Sequence, residues 1–188
     1  KVPLAEKREI QRARGEGGPK PVGRRGPVPE LERSRAQIYK AARNSVVHIA
    51  AVAFRRTPFT FDLTKVPAGS GTGFVWDEFG HVVTNHHVVT VTNAAGNPLG
   101  EAPALEVTLA DGKTYKAEII GRSNSHDIAV LQVFAPLNQL KPVILGSTKE
   151  LEEGYTVLAI GNPFGYDHTL TTGVVSAKGR DIPTGRGI

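Results

Sequence analysis

The sequence predicts an all-β protein: a complete six-stranded antiparallel barrel, one short helix before it, and the first hairpin of a second barrel after it. Three observations carry that expectation. Short segments rich in Val, Ile and Thr recur along the chain, each bounded by turn residues. The 21 glycines and 13 prolines among 188 residues punctuate the chain too often for long helices. Asp111-Gly112 sits between two such segments as a two-residue hairpin signal of the type I′ kind.

The elements follow in order. Residues 1–29, with the core GEGGPKPVGRRGPVP, lack periodic apolar positions and read as a disordered basic tail or linker. In 30–44, ELERSRAQIYKAARN places Leu31, Ile38, Ala41 and Ala42 near one face of a short helix. Six candidate strands come next, at 45–53, 70–77, 80–85, 104–110, 113–121 and 127–134. Glu78-Phe79-Gly80 reads as a turn. Closure of six strands removes the edges an open sheet would expose, so 30–134 reads as helix plus first barrel. After a connector at 135–154, only two further strands are legible, 155–161 and 168–178, within a unit spanning 155–188. A lone hairpin cannot bury its own apolar face. Val157, Leu158, Ile160, Val174 and Val175 therefore call for partners outside this sequence or for packing on the first barrel.

Composition narrows the function classes. The net charge of +5 belongs to residues 1–35, which hold ten Lys/Arg and five Asp/Glu; residues 36–188 hold thirteen of each. A basic nucleic-acid-binding face on the folded part is therefore not expected. With no cysteine, disulfides, thiolate nucleophiles and cysteine metal sites are excluded together. No run approaches the roughly 18 apolar residues of a membrane-spanning helix. A chain that starts at Lys1 and contains no methionine reads as a processed or trimmed piece.

Two fragments could carry chemistry. His86-His87 follows the third strand, and about forty residues later Asp127 opens the apolar run Ile128-Ala129-Val130-Leu131. A histidine pair at a barrel rim can simply satisfy backbone groups. A carboxylate entering a buried strand, however, calls for a partner. An aspartate accepting the Nδ1 proton of a histidine would fix the tautomer needed for general-base catalysis of acyl transfer. A metal site from His86, His87 and His126 is disfavoured, because neighbouring strand positions face opposite ways and no carboxylate spacing resembles a hydrolytic metal motif.

At this point the residues resemble a known family. Gly69-Ser70-Gly71-Thr72-Gly73-Phe74 with Val83-Thr84-Asn85-His86-His87-Val88 resembles the glycine run and histidine block of the HtrA/Deg serine proteases. Asp127-Ile128-Ala129-Val130-Leu131 is similar to that family's aspartate block, and Ala159-Ile160-Gly161-Asn162-Pro163-Phe164-Gly165 with Thr171-Thr172-Gly173-Val174-Val175-Ser176 to its third motif. The wording is closest to plant and cyanobacterial Deg proteases, and the resemblance spans about residues 36–188. It implies a trypsin-like fold, with His87 as general base, Asp127 as its orienting carboxylate, and Arg55 to Ala68 as a long loop near the active site. His86 falls at a variable position and receives no chemistry. No cofactor and no metal are implied. The glycines of 69–73 are read as allowing close backbone approach, and Asn162-Pro163-Phe164-Gly165 as a tight turn.

The sequence departs from that pattern in one respect. None of its serines, Ser34, Ser45, Ser70, Ser123, Ser125, Ser147 and Ser176, stands in a G-x-S-G-G setting, so the nucleophile is expected outside this chain. The expected function is a serine endopeptidase of protein quality control acting on unfolded or damaged polypeptides, with the isolated 188 residues inactive. The alternative is a non-catalytic binding or regulatory subunit of the same fold. The family resemblance further implies homo-oligomers, as trimers or their multiples, or hetero-oligomers with a paralogue. Tyr39, Phe54, Phe59 and Phe61 lie in the corresponding contact region. It also implies an extracytoplasmic setting, a bacterial periplasm or a thylakoid lumen.

Overall fold

A computed structural model describes residues 3–15, 23, 26–56, 63–92, 97–162, 165 and 168–180. The chain divides into two compact units, Lys1–Arg33 and Ser34–Ile188.

Where a disordered tail was expected over 1–29, the first unit holds a helix, α1, over Leu4–Gly15. Its sequence LAEKREIQRARG is made almost entirely of strong helix formers, a local preference that the neighbouring Gly/Pro-rich stretch conceals. Helix α2, Glu30–Ala42, follows Pro29 with Glu30 and Glu32 in its first turn and Lys40 in its last, the charge order a helix dipole favours. It gives way at Arg43–Ser45 to a 3-10 turn, two residues earlier than the sequence pattern suggested.

Six strands close the barrel. They are β1 (Val46–Arg56), β2 (Leu63–Val75), β3 (His81–Thr84), β6 (Ala104–Thr108), β7 (Thr114–Ser123) and β8 (Ile128–Val133), with β4 (Thr90–Thr92) and β5 (Pro98–Glu101) as an inserted hairpin. The order around the barrel is β1-β2-β3-β8-β7-β6, and β1 closes it by pairing His48–Val52 with β6. Period-2 alternation puts Val47, Ile49, Ala51, Val82, Leu105, Val107, Ala129, Leu131 and Val133 inside. Together they form one continuous apolar core.

The glycine run on β2 sits where side chains cannot. A Cβ on Gly73 would lie 2.7 Å from Ile49 Cδ1 and 2.9 Å from the Val83 carbonyl, and one on Gly71 would run into Val88. This close approach lets β1, β3 and the turn carrying Val88 crowd against β2.

Three loop expectations change. Arg55–Ala68 is not one long loop: β1 continues to Arg56 and pairs with Leu63 across residues 57–62, which lie outside the described residues. Beyond Val52 this pairing has no third strand among the described residues, and β1 and β2 continue as a two-stranded ribbon. At Asp111-Gly112 the hairpin is in place but its type differs. The Gly112 N–H donates to the Leu109 carbonyl at 2.9 Å, with Gly112 at φ +81° and Asp111 not left-handed. That is a type I turn with glycine in the left-handed position, reached because Ala110 joins the loop. Finally β4–β5 was not foreseen, since its strands are three and four residues long and contain Pro98 and Gly100.

The connector after β8 is pinned to the barrel. Leu140 is buried, the Val143 N–H donates to the Val75 carbonyl at 2.9 Å, and Ser45 Oγ donates to the Pro142 carbonyl at 3.3 Å. Strands β9 (Thr156–Gly161) and β10 (Thr169–Val174) pair with each other and, among the described residues, with no other strand. They are fixed to the barrel through polar contacts: His48 Nδ1 donates to the Asn162 carbonyl at 2.9 Å, the Asn162 N–H to Thr72 Oγ1 at 2.9 Å, and His168 Nε2 to the Val46 carbonyl at 3.0 Å. Their apolar side is not covered by these contacts, and Val174 remains 60% exposed.

Candidate active site

Register decides which residues meet. Antiparallel pairing sets Thr84 of β3 opposite Ala129 of β8, so the next residues of each strand, Asn85-His86-His87 and Ile128-Asp127, face one another where the strands end. Thr84 Oγ1 donates to the Thr72 carbonyl at 2.8 Å and fixes that end of β3 to β2. His86 and His87 then lie in a 3-10 turn, His86–Val89, rather than on the strand itself. The turn is anchored by Val88 and Val89, both buried in the core.

The structure brings His87 and Asp127 into contact across forty residues. His87 Nδ1 lies 2.6 Å from Asp127 Oδ2, and the His87 backbone N–H donates to Oδ1 at 2.9 Å. An ionised carboxylate can only accept, so Nδ1 carries the proton and Nε2 is left as the ring's proton acceptor. The ring is about half exposed and the carboxylate less so, at 53% and 28%. A proton acceptor reachable from outside is thereby backed by an anion, the arrangement that general-base catalysis uses.

Asp127 is held from its backbone side as well. Its carbonyl accepts from the His86 N–H at 3.1 Å and from Asn85 Nδ2 at 3.0 Å, and its own N–H donates to the Asn124 carbonyl at 3.3 Å. It is the one described non-glycine residue with positive φ, at +50°. That conformation costs on the order of 1 kcal/mol for an ordinary residue and less for Asp, and here it turns the carboxylate toward His87.

The other polar side chains nearby do different work. The His86 ring nitrogen Nδ1 is buried with no hydrogen-bond partner among the described residues. His126 Nδ1 meets Ser123 Oγ at 2.8 Å and Ser125 Oγ at 3.2 Å, so these two serines engage His126 rather than His87.

A second histidine–aspartate pair was missed by sequence reasoning. His81 Nδ1 lies 2.6 Å from Asp77 Oδ2, while Asp77 Oδ1 accepts the backbone N–H groups of Phe79 at 3.0 Å and His81 at 3.1 Å. The signal was there to find, an aspartate two residues before the turn Phe79-Gly80 and four before a histidine. This pair is local and braces a turn in which Gly80, at φ +97°, could not carry a Cβ without meeting the Val133 carbonyl.

Partial burial raises the Asp77 carboxyl, but the hydrogen bonds from the His81 ring and from the His81 and Phe79 backbones outweigh it and hold it below its ordinary value. A carboxyl lowered on folding stabilises the protein above its unfolded value of about 3.9, and that contribution is lost as pH falls through the folded value. We expect Asp77→Asn to lower Tm most near neutral pH, with the gap to the parent protein closing in acid. A gap that stays constant from neutral pH to below about 3 in thermal melts would show that the charge is not involved.

Known proteins resemble most of this chain. Residues 71–187 match the model of the trypsin-like peptidase domain. The chain is 45% identical over 160 residues to "Protease Do-like 1, chloroplastic" of Arabidopsis thaliana, covering 84% of this chain and 34% of that protein. It is 41% identical over 119 residues to "Probable periplasmic serine endoprotease DegP-like" of Brucella suis biovar 1 (strain 1330), covering 63% of this chain and 21% of that one. Among solved structures it is similar to the "Crystal structure of Deg5", with a TM-score of 0.63 and 35% identity over 85% of this chain and 70% of the other. The chain thus spans about a third or less of the length of these two curated relatives.

Proposed function

The chain belongs to the trypsin-like peptidase family, among its Deg/HtrA members, and from that premise we propose that it is the histidine- and aspartate-bearing part of a serine endopeptidase that degrades unfolded or damaged polypeptides. The observation that carries this reading is the contact of His87 Nδ1 with Asp127 Oδ2 at 2.6 Å. With Nδ1 committed, His87 Nε2 takes the proton of a serine hydroxyl as that oxygen attacks a peptide carbonyl, and Asp127 stabilises the imidazolium that forms. The imidazolium then gives its proton to the leaving amine.

The serine comes from polypeptide outside these 188 residues, because none of the seven present has a G-x-S-G-G setting. The same polypeptide would supply the oxyanion donors and the strands that cover Val157 and Val174 of β9 and β10. By itself, then, the 188-residue chain cleaves nothing, whereas the protein carried through that segment cleaves unfolded casein and is silenced by a serine-directed phosphonylating reagent. Cleavage that resists the reagent would overturn the reading. A second reading, a non-catalytic subunit of the same fold, is favoured by the serine content alone, and an intact G-x-S-G-G segment in the full coding sequence would remove it.

Its setting is extracytoplasmic, as the periplasmic and chloroplastic names of its relatives suggest. No helix among the described residues is long and apolar enough to cross a membrane. The working form is an oligomer, a trimer or its multiples or a pairing with a paralogue. Of the aromatic residues expected at the contact, Phe54 is 46% exposed and Tyr39 donates its hydroxyl to the His168 carbonyl of its own chain at 3.2 Å, while Phe59 and Phe61 lie outside the described residues. A monomer of the complete protein in light scattering would count against this.

A further inference from the structure

Asn85 has no part in the chemistry above, yet it bonds directly to the backbone of Asp127. Three consecutive residues converge on that one aspartate. Asn85 Nδ2 and the His86 N–H hold its carbonyl at 3.0 and 3.1 Å, and the His87 N–H and Nδ1 hold its carboxylate at 2.9 and 2.6 Å. Two of these donors are backbone groups that any sequence would provide, and one is the reacting imidazole itself. Asn85 is thus the side chain that can be changed without touching either partner of the pair.

What it holds is the unusual feature of the site. Asp127 sits at φ +50°, a conformation that chirality disfavours, and the carboxylate reaches His87 from that conformation. A left-handed residue at a strand end persists when its surroundings over-determine it. With one of the two carbonyl donors removed, Asp127 can relax toward the common φ region, and its carboxylate swings away from Nδ1. We propose that Asn85 is a positioning residue for the His87–Asp127 pair: its amide clamps the Asp127 carbonyl and so keeps the backbone that aims the carboxylate at the imidazole.

This inference deepens the peptidase reading and rests on it for its meaning, but its test requires no turnover. The imidazole ¹⁵N shifts of His87 in the 188-residue chain report which ring nitrogen carries the proton, at about pH 8, above the ordinary histidine value. In the parent chain they should show Nδ1–H with Nε2 unprotonated. In Asn85→Ala they should move toward the Nε2–H form that a histidine without a carboxylate partner prefers, while the methyl signals of Val47 and Leu131 stay dispersed as in the folded barrel. Asn85→Asp keeps the shape but loses the donor, so it should behave as Asn85→Ala does.

Parent-like ¹⁵N shifts in either folded variant would overturn the proposal, and so would collapse of the barrel signals in both, which would make Asn85 a structural residue only. Failure of the complete protein to cleave casein would sink the peptidase reading without altering these shifts. The two ideas can therefore fail separately.

Discussion

Replacing His87 with alanine in the complete protein should lower kcat for an unfolded polypeptide by a factor on the order of 10⁴ to 10⁶, and replacing His86 should leave it largely unchanged. The contrast follows from which atoms each residue lends to the site. In the proposed mechanism His87 gives its ring: Nδ1 is committed to Asp127 and Nε2 would accept the proton, so truncation at Cβ would remove the base outright. His86 gives only its backbone N–H, which donates to the Asp127 carbonyl and survives in the alanine variant. Its ring nitrogen Nδ1 is buried without a partner among the described residues, so losing it strands no bonded group. Casein cleavage by the two variants, with melting curves to show that both fold, checks this. Loss of activity in His86→Ala with activity kept in His87→Ala would mean that the register of this turn is wrong.

The parts of the molecule legible in sequence were those set by short-range periodicity. β3, β6 and β8 could be placed within one or two residues because one face of each is fully buried, and a shift of one residue would turn Val82, Val107 or Leu131 outward. Elements held by something other than core burial were harder to see. Helix α1 is made by local propensity beside a Gly/Pro-rich run, the ribbon beyond Val52 has no third strand among the described residues to demand alternation, and β4–β5 is too short to show a pattern.

The same division runs through the site. His87 and Asp127 could be named because their spacing and neighbours resemble a known family, but the reason they meet is the Thr84–Ala129 register, which no local pattern reveals. Asp77–His81 could have been found, since an aspartate ahead of a tight turn is a local signal. The left-handed backbone of Asp127 and its grip by Asn85 could not, because they arise only once two strand ends are side by side.

That backbone makes Asp127→Asn the most informative single change to the pair. Asparagine tolerates the left-handed region as well as aspartate does, so φ +50° at position 127 carries no new penalty, and the contacts of its carbonyl with Asn85 and His86 are kept. What changes is the chemistry of the side chain. An amide NH₂ placed against His87 can donate to an unprotonated Nδ1, which selects the tautomer carrying its proton on Nε2. That ring can no longer accept a proton from a serine hydroxyl, and the anion that would stabilise the imidazolium is gone. A fall in kcat of about 10⁴ is expected at neutral pH, with Tm close to that of the parent protein. The ¹⁵N shifts of His87 should show the reversed tautomer directly. If the variant instead keeps most of its activity, Asp127 is not the orienting carboxylate, and the contact of 2.6 Å with His87 is a structural bond at the rim of a barrel.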